Sequence, residues 1–221
     1  MKKSIFISKN TSELPLLSAF CATNQLSLTA QSFIEFTALP FIIKESYDVL
    51  FFGSVRAAEF FFAKESLPVH CQIACVGAVT AKKINALGFG VSFIGEQAGN
   101  PLHVAEMFKM WLGDRRVLFP LSTVSKRTIV EQIPTAQRIE VAIYETCALP
   151  LKIEKSDCLI FTSPSNVESY LLQNEINGNI LIAWGTTTRN ALEAKGFSVD
   201  FTLQEANEEN LITYLKEFLI L

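Results

Sequence analysis

The chain has 221 residues, 49% of them hydrophobic and 19% charged, with a net charge of −3. That composition folds, and the length suits two domains of roughly 100–120 residues. No basic run exists, which excludes nucleic acid as the main partner. An anionic small molecule stays open, because backbone N–H groups bind anions without net positive charge.

No apolar run approaches the roughly 20 residues of a membrane helix. The apolar part of Met1-Lys2-Lys3-Ser4-Ile5-Phe6-Ile7-Ser8 is too short for a signal segment, so no membrane partner and a cytoplasmic location are expected. The cysteines, Cys21, Cys71, Cys75, Cys147 and Cys158, are odd in number and form no CxxC pair. A disulfide framework is not expected, nor is a zinc site, since no second ligand pair follows His70, Cys71 and Cys75.

In chain order, Ser4–Ser8 predicts a strand. A helix follows to about Asn24, capped by Thr11 or Ser12. Leu26–Phe36 is one extended stretch rich in β-formers. Asp48–Phe52, Gln72–Val76, Val91–Ile94 and Arg116–Pro120 read as strands. Helices follow each: to about Lys64, over Ala78–Leu87, over Pro101–Leu112 and over Ser125–Gln132. Arg138–Leu149 is a second long extended stretch. Asp157–Ser163, Ile180–Trp184 and Val199–Thr202 are then strands, followed by helices to about Gln173, over Thr186–Ala194 and over Glu208–Leu219. Such alternation predicts an α/β fold with parallel sheets.

The chain also repeats itself. Asp48, Leu50, Phe52, Ser54 and Glu59 match Asp157, Leu159, Phe161, Ser163 and Glu168 at an offset of 109. Gly77, Thr80, Ala86, Gly88, Phe89, Val91 and Phe93 match Gly185, Thr188, Ala194, Gly196, Phe197, Val199 and Phe201 at an offset of 108. Two copies of one fold are expected. The second copy lacks its early part until the N-terminal strand and helix are added. Residues 1–35 with 148–221 therefore predict one discontinuous domain and residues 38–143 the other. The linkers, about 33–39 and 138–147, would be a two-stranded hinge flanking a ligand cleft.

In a parallel sheet, ligands bind beyond the carboxyl ends of the strands. The sequence puts hydroxyl residues there: Gly53-Ser54-Val55-Arg56, Gly77-Ala78-Val79-Thr80, Leu121-Ser122-Thr123-Val124-Ser125, Thr162-Ser163-Pro164-Ser165-Asn166 and Gly185-Thr186-Thr187-Thr188. Any one turn reads as well as a helix cap, but five on one side point to a multi-anionic ligand. Phosphate loops and a GxSxG elbow are absent, so no nucleotide cofactor is expected. His70 and His103 stand alone. Tyr144, in the second linker stretch, suits a proton donor to a leaving group and equally a packing tyrosine in a strand.

Phe161-Thr162-Ser163-Pro164-Ser165-Asn166-Val167, Ala183-Trp184-Gly185-Thr186-Thr187-Thr188, Val117-Leu118-Phe119-Pro120 and Val141-Ala142-Ile143-Tyr144-Glu145-Thr146 resemble, in order and spacing, the uroporphyrinogen-III synthase family. The resemblance implies two flavodoxin-like domains and a lyase without cofactor or metal. Its substrate would be hydroxymethylbilane, cyclised to uroporphyrinogen III with inversion of ring D through a spiro intermediate. It also implies a monomer in transient contact with the preceding enzyme of the pathway. Carried over residue by residue, Tyr144 assists hydroxide departure, while Ser54, Arg56, Thr80, Ser163, Ser165, Asn166, Thr187 and Thr188 bind substrate carboxylates. Leu121 departs from the basic residue often found after the Phe-Pro pair, which leaves Ser122, Thr123 and Ser125 outside the carried-over set. A non-catalytic two-lobe module for an anionic metabolite shares the same fold.

Overall fold

The computed structural model describes residues 3–219. Met1, Lys2, Ile220 and Leu221, which belong to the expected terminal segments, lie outside the described residues. The chain divides into two compact units, one of residues up to Glu35 and from Cys147 onward, the other Phe36–Thr146.

Unit 1 contains strands β1 (Ser4–Ile7), β2 (Ser27–Ala30), β9 (Cys158–Phe161), β10 (Ile180–Ala183) and β11 (Phe201–Thr202). They form a five-stranded sheet in the order β11-β10-β9-β1-β2, with parallel pairing throughout. In chain order this is the 2-1-3-4-5 arrangement of flavodoxin-like folds. Its helices are α1 (Pro15–Thr23), α6 (Pro164–Tyr170), α7 (Thr186–Glu193) and α8 (Glu208–Leu219). The central strands β1, β9 and β10 are buried on both faces, which explains their nearly unbroken apolar runs. Along β1, Ile5 and Ile7 enter a core with Leu17 and Leu215, while Phe6 enters another with Phe33, Phe161 and Tyr170.

Unit 2 contains β4 (Val49–Phe52), β5 (Gln72–Cys75), β6 (Phe93–Ile94) and β7 (Val117–Ser122). Two more strands, β3 (Ile34–Ala38) and β8 (Arg138–Ala148), are the stretches in which the chain passes from one unit to the other. The six form one sheet in the order β3-β8-β7-β4-β5-β6. The helices are α2 (Val55–Phe62), α3 (Ala78–Ala86), α4 (Pro101–Leu112) and α5 (Thr128–Glu131). On β4, Leu50 and Phe52 face one core and Val49 and Phe51 the other; Phe51 packs on Phe108 at 4.5 Å between ring centroids.

The two sheets are one design entered at different points. Counting β9 as the first strand, unit 1 runs β9, β10, β11, β1, β2 and has the same spatial order as β4 to β8 of unit 2. The turns agree in backbone angles. Ser54 (φ −159°, ψ 158°) matches Ser163 (φ −159°, ψ 157°), and each side chain caps the helix that follows. Gly88 and Gly196 both end helices with positive φ, 92° and 86°, where glycine avoids the strain a side chain would meet. The paired aspartates do one job: Asp48 accepts from the Arg116 N–H at 2.8 Å and Asp157 from the Ser4 N–H at 2.7 Å. Each ties the start of the first strand to the start of its neighbour.

Three local expectations are corrected. Neither Thr11 nor Ser12 caps α1. They form a short 3-10 turn, and the helix starts at Pro15, whose fixed φ suits the first helical position. Leu26–Phe36 is two strands rather than one, interrupted between Ala30 and Ile34. Strand β7 runs on past Pro120 to Ser122, because β4 pairs only with Val117 and Leu118 and no bond is asked of the proline nitrogen there.

Candidate active site

The site in unit 2 begins with a register change. Val117 to Leu121 of β7 pair in step with Arg138 to Ala142 of β8, and Ser122 then pairs with Tyr144. Ile143 is the extra residue of a β-bulge. Ile143 and Tyr144 are consequently both buried, at 1% and 6% exposure, where a regular strand would alternate. The bulge aims the Tyr144 ring inward, against Phe60 (centroids 5.1 Å, rings 7° apart) and Phe36 (6.1 Å). Two ring contacts leave the phenol little rotational freedom.

The Tyr144 hydroxyl lies 3.4 Å from Ser54 Oγ, and that oxygen accepts the Ala57 N–H at 3.0 Å. Ser54 is thus held as a helix cap and can still take a second hydrogen bond. Ser122 and Ser125 hydroxyls are 2.9 Å apart, and Ser125 Oγ accepts the Ser122 N–H at 2.8 Å. Ser54, Ser122, Ser125, Lys126 and Tyr144 line one cavity of about 300 Å³, with Phe51 and Phe119 among its apolar wall. It sits beyond β4 and β7, where the sheet order reverses.

The same point in unit 1 lies beyond β9 and β1, and there Ser8 and Thr162 bond to each other. Ser8, buried after β1, accepts the Thr162 N–H at 2.8 Å, and Thr162 Oγ1 donates to the Ser8 carbonyl at 2.7 Å. Unit 1 instead has an open hollow of about 380 Å³ lined by Ser163, Trp184, Gly185, Thr186, Thr187 and Thr188. Lys9 lies over the Trp184 ring, 5.5 Å from its centroid. The α7 N-terminus has Gly185 as its cap and no side-chain partner, so its first N–H groups are available to an anion.

The expected residues divide as follows. Tyr144 and Ser54 come together in the unit 2 cavity. Arg56 stands nearby, its guanidinium 4.3 Å above Phe36, but it donates to Glu59 at 3.1 Å, and Glu59 also holds Lys83 at 2.8 Å. Thr80 is buried at the start of α3 and lines a separate cavity of about 780 Å³ with Gly77, Val79 and Ile94. Ser163, Thr187 and Thr188 share the unit 1 hollow. Ser165 is half-buried outside it. Asn166 is 4% exposed; its amide donates to Ser163 Oγ at 3.0 Å, and its carbonyl accepts the Phe33 N–H at 2.8 Å. Its carbonyl oxygen thereby holds the chain just before β3.

Ser122, Ser125, Lys126 and Lys9 are the lining or flanking residues that sequence reading left out. Only the run of hydroxyls after β7 signalled any of them. Thiol chemistry is disfavoured, since burial pushes Cys158 up to about 12 and Cys71 up to about 11. Among the described residues no cluster of His, Cys, Asp and Glu could hold a metal ion. No described helix is long and apolar enough to cross a membrane.

Comparisons with known proteins meet this geometry. A family model described as uroporphyrinogen-III synthase HemD matches residues 26–213. No curated protein sequence matches the chain. The crystal structure of uroporphyrinogen-III synthetase from Helicobacter pylori 26695 is similar in fold, with a TM-score of 0.71 and 18% identity, covering 98% of this chain and 99% of that one. A mutant uroporphyrinogen III synthase from the extremely thermophilic bacterium Thermus thermophilus gives a TM-score of 0.62 and 14% identity, covering 98% of this chain and 97% of that one.

Proposed function

Because this chain belongs to the uroporphyrinogen-III synthase family, the cyclising lyases of tetrapyrrole biosynthesis, we propose that Tyr144 is the proton donor of its reaction. The substrate is hydroxymethylbilane, a linear tetrapyrrole with eight carboxylates. The observation that carries the reading is the Tyr144 hydroxyl, fixed by two ring contacts beside Ser54 in a cavity at the sheet's reversal point.

The steps balance without a co-reactant. The C–O bond of the terminal hydroxymethyl group breaks while Tyr144 gives up its proton, so the leaving group departs as water. The pyrrole nitrogen lone pair stabilises the resulting azafulvene cation. Ring D attacks through its substituted α-carbon, giving the spiro intermediate. That intermediate opens and recloses with ring D inverted. The proton then lost from ring D returns to the phenolate. Water is the only by-product.

The phenol contributes general acid catalysis, typically worth about 10²–10⁴-fold. Positioning matters more, because the free bilane closes spontaneously to the unrearranged isomer and the protein must favour the other closure. Carboxylates are held by Ser54 and Thr80 in unit 2 and by Ser163, Thr187 and Thr188 in unit 1, with backbone N–H groups at the helix starts. Arg56 joins them once a substrate carboxylate replaces Glu59, an exchange that costs little because half-exposed ion pairs are worth about 0–1 kcal/mol. The protein acts as a monomer in the cytoplasm.

The test is to supply hydroxymethylbilane to the purified protein and resolve the product isomers. The type III isomer, formed faster than spontaneous closure, is the expected result. Type I alone, at the spontaneous rate, contradicts the reading.

A further inference from the structure

Unit 2's cavity has walls, depth and a single cation, and these features together limit what can occupy it. Its volume, about 300 Å³, stands at the small end of ligand pockets, which run roughly 300–1,000 Å³. A tetrapyrrole does not fit; one pyrrole ring with its acid side chains does. Phe51, Phe119, Ile129 and Val130 supply an apolar wall for a flat ring. Ser54, Tyr144 and the Ser122–Ser125 pair line the same cavity and supply its hydroxyls. Lys126 is the lining residue that carries a positive charge. Its side chain is exposed and has no acidic partner among the described residues. No other lysine or arginine is among the cavity's lining residues.

Unit 1 provides the contrast. The same fold reaches the same reversal point, and there Ser8 and Thr162 join by hydrogen bonds of 2.7 and 2.8 Å in place of a tyrosine and a lysine. Thr162 also lines the open hollow of unit 1, where hydroxyls and the start of α7 can take carboxylates and no lysine or arginine is among the lining residues. The duplicated fold is therefore asymmetric in its chemistry.

We propose that Lys126 is a specificity-determining residue: it binds a carboxylate of the one terminal ring lodged in the unit 2 cavity and so turns that ring's hydroxymethyl group toward Tyr144. The inference rests on the reading of the chain as a hydroxymethylbilane-cyclising enzyme. It adds which ring-sized site is used and which cation selects the ring's orientation. A flat ring with acid side chains could enter such a slot in more than one rotation. One charge among the lining residues favours the rotation that brings acid to ammonium.

The test compares Lys126→Ala, Lys126→Arg and Lys126→Glu with the unaltered chain, using hydroxymethylbilane. Loss of one charge-assisted hydrogen bond predicts that Lys126→Ala raises KM about five- to thirtyfold. Lys126→Glu raises it further, and Lys126→Arg restores it to within about threefold of the starting value. The salt dependence of kcat/KM flattens in Lys126→Ala, and thermal stability stays unchanged because the side chain is exposed. An unchanged KM and salt dependence in Lys126→Ala, with the unaltered chain still forming type III product, overturns the assignment of Lys126 alone. Absence of type III product from the unaltered chain overturns the underlying reading as well.

Discussion

Ser122 faces Tyr144 across the β7–β8 ladder, one residue further along β8 than the pairing from Val117 to Leu121 would bring. The slip places a phenol and a serine hydroxyl at the same end of the sheet, beside the cap of α2. The N-terminus of α2 supplies the third hydroxyl, Ser54, 3.4 Å from the Tyr144 oxygen. Apo hydrogen bonds of that length commonly tighten when substrate arrives.

The matched caps separate catalysis from structure. Ser54→Ala and Ser163→Ala each remove a cap and should each cost about 1 kcal/mol in urea unfolding. In steady-state kinetics Ser54→Ala lowers kcat several-fold, because Tyr144 loses its hydroxyl partner. Ser163→Ala leaves kcat and raises KM, since unit 1 is assigned carboxylate binding. Equal kcat losses in the two variants would argue against a special link between Ser54 and Tyr144.

Backbone packing around unit 2's larger cavity gives a second check. A Cβ on Gly95 would lie 2.5 Å from the Val76 carbonyl oxygen and 2.7 Å from Val104 Cγ1. Gly95→Ala should destabilise by about 1–3 kcal/mol through overpacking. Gly90, with nothing within 4 Å of the same atom and no positive φ, is the control. Gly90→Ala should stay within about 0.5 kcal/mol of the starting chain in the same denaturation experiment.

The aspartate ties predict a response to acid. Asp157 accepts the Ser4 N–H at 2.7 Å and the Ser4 hydroxyl at 2.8 Å, and these bonds hold its carboxyl below the ordinary 3.8. A lowered folded-state value means the stabilisation is complete above the ordinary carboxylate range and disappears as pH falls through the folded value. Asp157→Asn should therefore be less stable than the unaltered chain at neutral pH, and the gap should close as pH drops below about 4. A gap that stays constant down to about pH 2 in thermal melts would mean the charge on Asp157 contributes nothing.

Much of the architecture could be read from residues because both sheets are covered on both faces. Runs such as Val49–Phe52 are apolar without alternation, and the helices between them carry their own stop signals at Gly88 and Gly196. The duplication revealed that the N-terminal strand and helix complete the second copy's fold. Other features depend on contacts that no local pattern encodes. Val141-Ala142-Ile143-Tyr144 gives no sign of a bulge, which follows from fitting β8 against β7. Asn166 looks like one more polar residue in a hydroxyl-rich turn until the Phe33 N–H is found 2.8 Å from its carbonyl oxygen. Lys126 follows a serine-rich turn and becomes meaningful only when that turn folds over Phe51 and Phe119. Pro15, rather than Thr11 or Ser12, sets the start of α1 because its ring fits the first helical position.

The most direct measurement is single-turnover cyclisation of hydroxymethylbilane by Tyr144→Phe beside the unaltered chain. Phenylalanine keeps the stacking on Phe60 and the edge contact with Phe36 and removes only the oxygen. The rate should fall about a hundredfold, the low end of general acid catalysis, with substrate affinity and the type III share of enzymatic product unchanged. A rate equal to that of the unaltered chain would show that the phenol gives no proton to the leaving group.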